Sequence, residues 1–265
     1  MGLSPRVMGI VNVTPDSFFP ESRTTSTDEA IARGKEHFAR GADVVDVGGE
    51  STRPGATPVS EENELARVVP VVAGLAGLGA VSVNTQKEAV ARAALDAGAQ
   101  IVNDESCTLM GVAGERGAGY VAMHRLHPTI TPGDATYDDV VAEVSDFLAD
   151  AARRARAAGV GELWLDPGIG FNKTTAHNLA LLASLDALVG LAAGCDAAVL
   201  VGTSRKRFLG ELGATPLGVE DRLEASLASE AWAMLCGVDL VRVHDVAPAI
   251  YARELIARPR SRVGP

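Results

Sequence analysis

The segment LCGVDLVRVHDV (235–246) decides how this chain is read, because it holds one whole structural unit. Gly237 follows a helical stretch at the position where a left-handed C-cap is wanted, and the apolar run 240–243 reads as a short buried strand. Arg242 and His244 then put polar side chains at the end of that strand. The same passage from helix through glycine into strand recurs as ARGAD (39–43), DAGAQ (96–100) and AAGVG (157–161).

Working outward, eight short apolar runs lie at 7–11, 44–47, 81–83, 100–102, 120–123, 163–165, 198–201 and 240–243. Polar residues stand at or just beyond their ends: Asn12, Asp46, Asn84, Asn103 with Asp104, His124, Asp166, Ser204 to Lys206, and Arg242 with His244. Helical spacing of apolar residues fills 27–40, 61–78, 87–97, 137–158, 176–193, 220–236 and 247–257, while 105–118 leaves room only for a rudimentary helix. Eight βα units in series predict an α/β fold, a (β/α)8 TIM barrel whose active site lies at the C-terminal ends of the strands. The rival is a doubly wound open sheet, which announces itself with a glycine-rich phosphate loop after its first strand. Residues 12–18, NVTPDSF, contain no glycine, and the strand count favours the closed barrel.

Length and composition agree. A chain of 265 residues suits one barrel domain, with a core over 7–257 and a tail over 258–265. Hydrophobic residues make up 47% but aromatics only 4%, so the core is built from Val, Leu, Ile and Ala. A net charge of −10 argues against nucleic acid as a partner, since such binding needs a basic face. A few local cations still suffice to set the field inside a cleft. The first apolar run begins within a few residues of Met1, without a leader pattern, and no segment approaches the length needed to span a bilayer. Cys107, Cys195 and Cys236 show neither disulfide nor zinc spacing, and a reducing cytoplasm is the expected compartment.

The segments MGIVNVTPDSF (8–18), DVGGESTRPGA (46–56), VSVNT (81–85), VND (102–104), MH (123–124), DPGIGF (166–171), TSRKRFLG (203–210) and VRVHDV (241–246) together resemble dihydropteroate synthase, a pterin-binding family. They occur in family order over nearly the whole chain. The resemblance implies a transferase of folate biosynthesis. It joins 6-hydroxymethyl-7,8-dihydropterin pyrophosphate to p-aminobenzoate, releases pyrophosphate in the presence of Mg²⁺, and is usually a homodimer through its late helices.

The residue types suit that chemistry. Displacing pyrophosphate from the pterin methylene develops negative charge on the leaving group and positive charge on the heterocycle, so cations and a metal must meet acceptors in one site. By resemblance, Asn12 is the protein's ligand to Mg²⁺, and Thr52, Arg242 and His244 bind the pyrophosphate. Asp166 is a natural bidentate acceptor for the pterin 2-amino and N3 hydrogens, Asn103 serves the far edge, and Lys206 donates to the carbonyl and N5. Asp166 before Pro167 also suits a turn cap. Thr52 and Arg53, with residues 14–18, resemble the two loops that close over the site, and Phe171 with Lys206 resembles the pair flanking the aminobenzoate ring. Where many members carry Ser after Ser-Arg-Lys, this chain has Arg207, which either pairs the aminobenzoate carboxylate or stands in solvent.

The main departure is Asn84, in SVNT (82–85), where the family has Asp. Asn keeps the size and one acceptor but removes a charge well placed to offset the developing cation. After Asn103–Asp104 the family's Val-Ser-Gly is replaced by Glu105-Ser106-Cys107, and after Met123–His124 the loop reads Arg125-Leu126-His127-Pro128. Three readings follow: a working synthase with Asn84, Asp166 and Lys206 as its catalytic set, a paralogue using another amine acceptor, and a pterin-binding protein without the reaction.

Overall fold

A computed structural model describes residues 4–14, 26–51, 57–126 and 136–257. Eight parallel strands close into a barrel in sequence order: β1 (Arg6–Asn12), β2 (Val44–Gly48), β3 (Ala80–Asn84), β4 (Ile101–Asp104), β5 (Gly119–Met123), β6 (Leu163–Asp166), β7 (Ala198–Val201) and β8 (Leu240–Val243). Closure comes from β8 lying against β1, with Met8 opposite Arg242 and Gly9 opposite Val243. Outside the strands lie α1 (Thr27–Ala39), α2 (Glu61–Leu75), α3 (Glu88–Asp96), α4 (Met110–Arg116), α5 (Val140–Ala157), α6 (Thr175–Ala183), α7 (Leu185–Gly194), α8 (Leu223–Leu235) and α9 (Val246–Ala257). The glycines of the repeated phrases do what the sequence asks of them: Gly41, Gly98, Gly159 and Gly237 all have φ between +85° and +112°, a region that costs glycine nothing.

Strand alternation divides the barrel interior into two parts. Met8, Val44, Ile101, Val121, Trp164, Leu200 and Leu240 form an apolar plug at the N-terminal end. Trp164 is fully buried in it, donating its indole N–H to Asp239 at 2.9 Å, with the Arg6 guanidinium 5.0 Å from its ring centroid. Two residues further along four of these strands the same inward-facing register turns polar: Asp46 after Val44, Asn103 after Ile101, Asp166 after Trp164 and Arg242 after Leu240. The alternate residues, among them Val45, Val47, Val83, Val102 and Leu165, face the helices in the main core.

Two helical expectations are corrected. The single helix over 176–193 is two, α6 and α7, bent by 61° at Ser184. The bend lets Leu181 and Leu182 on one piece and Leu185 and Leu188 on the other all pack inward against the curved barrel. The stretch 220–236 opens as a 3₁₀ turn, Glu220–Arg222, before α8 begins. The short α4 is as expected. Asp104, facing away from the barrel axis, organises its approach by accepting the backbone N–H groups of Thr108 and Leu109 at 2.8 and 2.7 Å and the Tyr120 hydroxyl at 2.7 Å. No single helix among the described residues is long and apolar enough to cross a membrane.

Candidate active site

At the C-terminal end of the barrel, the strand register places Asn12, Gly48, Asn84 and Asn103 side by side across β1 to β4. Gly48 leaves the space between two of them open: a methyl group there would stand 3.8 Å from Asn12 Oδ1 and 3.6 Å from the Asn84 Cβ. One layer deeper lies Asp46, fully buried, whose Oδ2 accepts from Asn103 Nδ2 at 3.1 Å and from Arg242 Nε at 2.7 Å. Asp46 marks a strand end in the sequence but carries no predicted role. Its alternation with Val44 was the signal that it faces inward.

Arg242 is therefore tied to a fully buried carboxylate at the end of the barrel. His244 follows it, with its backbone N–H donating to Ser204 Oγ at 3.1 Å. Burial and the nearby Arg242 push the His244 imidazole down to about 3, so it is neutral at physiological pH.

Across the barrel mouth, Asp166 ends β6. Its Oδ1 accepts the Gly168 N–H at 2.7 Å, so the turn-capping role is present alongside whatever else the carboxylate does. Burial pushes the Asp166 carboxyl above the usual range, and Lys206 pulls it back down. Burial likewise lowers Lys206 to about 8, with Asp166 opposing the shift. Each charge is tolerated there because the other is near. The Lys206 ammonium also donates to the Ile169 carbonyl and stands 4.5 Å from the Phe171 ring centroid. Arg125, paired with the buried Glu105 at 3.0 Å, reaches the same ring at 5.4 Å, so Phe171 is contacted by two cations.

The DPGIGF turn requires its glycines. Gly168, at φ +66°, has a position where a Cβ would stand 1.9 Å from the His124 carbonyl oxygen, and a Cβ on Gly170, at φ +83°, would meet Lys206 Cδ at 2.6 Å. Lys173 ties this turn from beneath, with its ammonium 3.1 Å from the Gly168 carbonyl oxygen, 3.2 Å from that of Phe171 and 3.0 Å from His124 Nδ1. Burial lowers Lys173 to about 7 and, with Lys173 beside it, His124 to about 3. Sequence reasoning gave Lys173 no role, since two of its partners are backbone carbonyls that leave no side-chain pattern and the third, His124, lies 49 positions away.

Arg205, within the Ser-Arg-Lys motif, turns away from the mouth. At φ +60° it clamps Asp245 with two bonds of 2.9 and 3.0 Å and caps the carbonyls of Val219 and Glu220, fixing the turn that presents Lys206. Arg207 is exposed and pairs with Glu211 at 2.7 Å. Thr52, Arg53, residues 15–18, His127, Pro128 and the tail 258–265 lie outside the described residues.

The site thus gathers an acceptor, a donor and an amide at one end of the barrel, with the Arg242–Asp46 pair at the same end, and known proteins share both its sequence and its frame. The family model described as "Pterin binding enzyme" matches residues 8–244. The chain is 45% identical to the dihydropteroate synthase of Mycobacterium leprae over 271 residues, covering 97% of this chain and 94% of that protein. It is 42% identical to a probable bifunctional folylpolyglutamate synthase/dihydropteroate synthase of Haloferax volcanii, covering 93% of this chain and 30% of that protein. Among solved structures, the Xanthomonas albilineans dihydropteroate synthase with 4-aminobenzoic acid superposes with a TM-score of 0.85 at 44% identity, covering 96% of this chain and 94% of that one. The chain belongs to the pterin-binding enzyme family.

Proposed function

We propose that this chain catalyses the dihydropteroate synthase reaction, in which the amine of p-aminobenzoate displaces pyrophosphate from 6-hydroxymethyl-7,8-dihydropterin pyrophosphate to give 7,8-dihydropteroate. The observation that carries this reading is the buried Asp166 at the end of β6 with the half-buried Lys206 in the turn after β7 and the buried Asn103 on β4, the first two within electrostatic reach of each other. A 2-amino-4-oxo heterocycle offers two adjacent N–H donors and a carbonyl, and this end of the barrel offers the complementary carboxylate, ammonium and amide. Relatives named for the same reaction, and one solved with 4-aminobenzoic acid, support it.

In this reading Asp166 accepts from the pterin 2-amino and N3 groups, Asn103 serves the other edge, and Lys206 donates to the carbonyl and N5. Asn84, on the row above Asp46, lies beside the methylene where positive charge develops. The aminobenzoate ring rests against Phe171 and Lys206. We assign Arg207, Thr52 and Arg53 to substrate binding, Arg207 as a partner for its carboxylate. Arg242, His244 and Thr52 receive the leaving pyrophosphate. The neutral His244 imidazole both donates and accepts, so it suits an anion that carries protons.

Magnesium fits the donor set at Asn12. No cluster of three or more His, Cys, Asp or Glu ligands occurs among the described residues. An ion held by one neutral carbonyl, substrate oxygens and water needs none. When bound, it neutralises charge on the diphosphate. Pyrophosphate affinity should therefore depend on both Arg242 and the metal. In calorimetry, Arg242→Ala and chelation should each weaken pyrophosphate binding by about tenfold or more, the scale of one charge-assisted contact. Unchanged affinity in both would place the anion elsewhere.

We further propose a homodimer through α8 and α9, in the reducing cytoplasm that suits three free cysteines. Trp232 and Leu235 on α8 and Tyr251 and Leu255 on α9 expose 50%, 59%, 77% and 77% of their surfaces, an apolar patch that a second copy would cover. Tyr251→Glu combined with Leu255→Glu should yield a monomer by sedimentation. A native chain that sediments as a monomer would contradict the assignment.

A further inference from the structure

Behind the turn that presents Lys206, α8 offers three polar side chains within about one helical turn. Ser226 Oγ accepts the Arg205 N–H at 2.8 Å, and the Ser229 hydroxyl donates to Thr203 Oγ1 at 2.8 Å. The third is Glu230, 2% exposed, whose two carboxyl oxygens are both buried without a hydrogen-bond partner. Its polar neighbours are the Ser204 hydroxyl, short of bonding geometry, the Asp245 carboxylate and the Arg205 guanidinium that Asp245 already holds. An ionised carboxylate in such a place would be desolvated, unpaired and beside a like charge, whereas a neutral acid is tolerated. Ser204 also accepts the His244 backbone N–H at 3.1 Å, so this pocket lies one contact behind both halves of the site.

We propose that Glu230 is a positioning residue for the reaction of this site. Held as a neutral acid between Ser204 and Asp245, it supports the 203–206 turn, and its ionisation repels Asp245, loosens the Arg205–Asp245 clamp and displaces Lys206 and His244. This rests on the condensation reading given above. The facing charged groups are Asp245 from the segment after β8 and Arg205 from the segment after β7; α8 itself contributes hydroxyls. Burial and Asp245 raise the carboxyl to about 8 from its ordinary 4.5, which places the ionisation within an accessible range.

The test compares the native chain with Glu230→Gln, a neutral isostere, and with Glu230→Ala. The carboxyl ionises near its ordinary value in the unfolded chain but only near 8 when folded, so the native chain loses stability progressively across that window while the Gln form does not. The Tm of Glu230→Gln should therefore gain on the native chain by several degrees between pH 5 and 8. The kcat/KM ratio of native to Gln enzyme should fall about tenfold between pH 7 and 9, as the neutral fraction of the acid does. Lys206 titrates in both forms and cancels in that ratio. Glu230→Ala should lose turnover that Gln restores. A constant Tm difference would overturn the neutral acid, and superimposable alkaline limbs would overturn the positioning role. The thermal comparison needs no substrate, so failure of the condensation reading and failure of this one are told apart.

Discussion

Asp166→Ala is expected to weaken binding of 6-hydroxymethyl-7,8-dihydropterin pyrophosphate by a factor on the order of 10² to 10⁴, measured by calorimetry. Two charge-assisted hydrogen bonds to the pterin are lost, each worth roughly 1.5–3 kcal/mol. The change also strips Lys206 of the carboxylate that offsets its burial, so its ammonium becomes easier to deprotonate and a poorer donor. Part of the effect runs through the turn, because Asp166 Oδ1 also holds the Gly168 N–H. Asp166→Asn separates the two: it keeps an acceptor for Gly168 and should preserve the fold while still losing most of the pterin affinity. Native affinity in the alanine variant would remove Asp166 from the site.

Asn84→Asp is expected to act in the opposite sense, raising the turnover of aminobenzoate condensation by about tenfold or more. The buried carboxylate one layer deeper, Asp46, is already bound to Arg242 at 2.7 Å, and its charge is largely spent there. That leaves Asp166 as the main negative group available to the pterin as the carbon–oxygen bond breaks. A carboxylate at position 84 adds a second, and each decade of rate corresponds to about 1.4 kcal/mol of differential stabilisation. Pterin affinity should change less than turnover, because the added charge matters most once the cation develops. Equal or lower turnover in Asn84→Asp, by steady-state kinetics, would show that the pocket has been rebuilt around an uncharged residue at this position.

The barrel was legible because each unit repeats its own local rules. In the strand 240–243 an apolar run, a preceding glycine and a polar end coincide, and the same three signals mark several of the other strands. Asp166, Asn103 and Arg242 were legible for the same reason, lying at strand ends on the inward register, and Lys206 because its motif follows such an end. What escaped was set by contacts between distant parts of the chain. Asp46 and Arg242 are separated by 196 positions, and neither one's spacing points to the other. Arg205 sits in a motif that suggests ligand binding, yet its partner 40 positions on makes it a clamp for the turn. The break at Ser184 was hidden because α6 and α7 are both rich in Leu and Ala, and the apolar pattern runs straight through it. Lys173 and Glu230 were invisible because nothing in their sequence neighbourhood distinguishes a buried ionisable group from a solvated one.

The central claim, that the polar end of this barrel performs the condensation, is tested most directly by one coupled assay. The native chain, 6-hydroxymethyl-7,8-dihydropterin pyrophosphate and Mg²⁺ are combined with and without p-aminobenzoate, and pyrophosphate release is followed together with 7,8-dihydropteroate. The account predicts aminobenzoate-dependent release, with the two products appearing in equal amounts. Tight binding of the pterin pyrophosphate with no aminobenzoate-dependent release would contradict it.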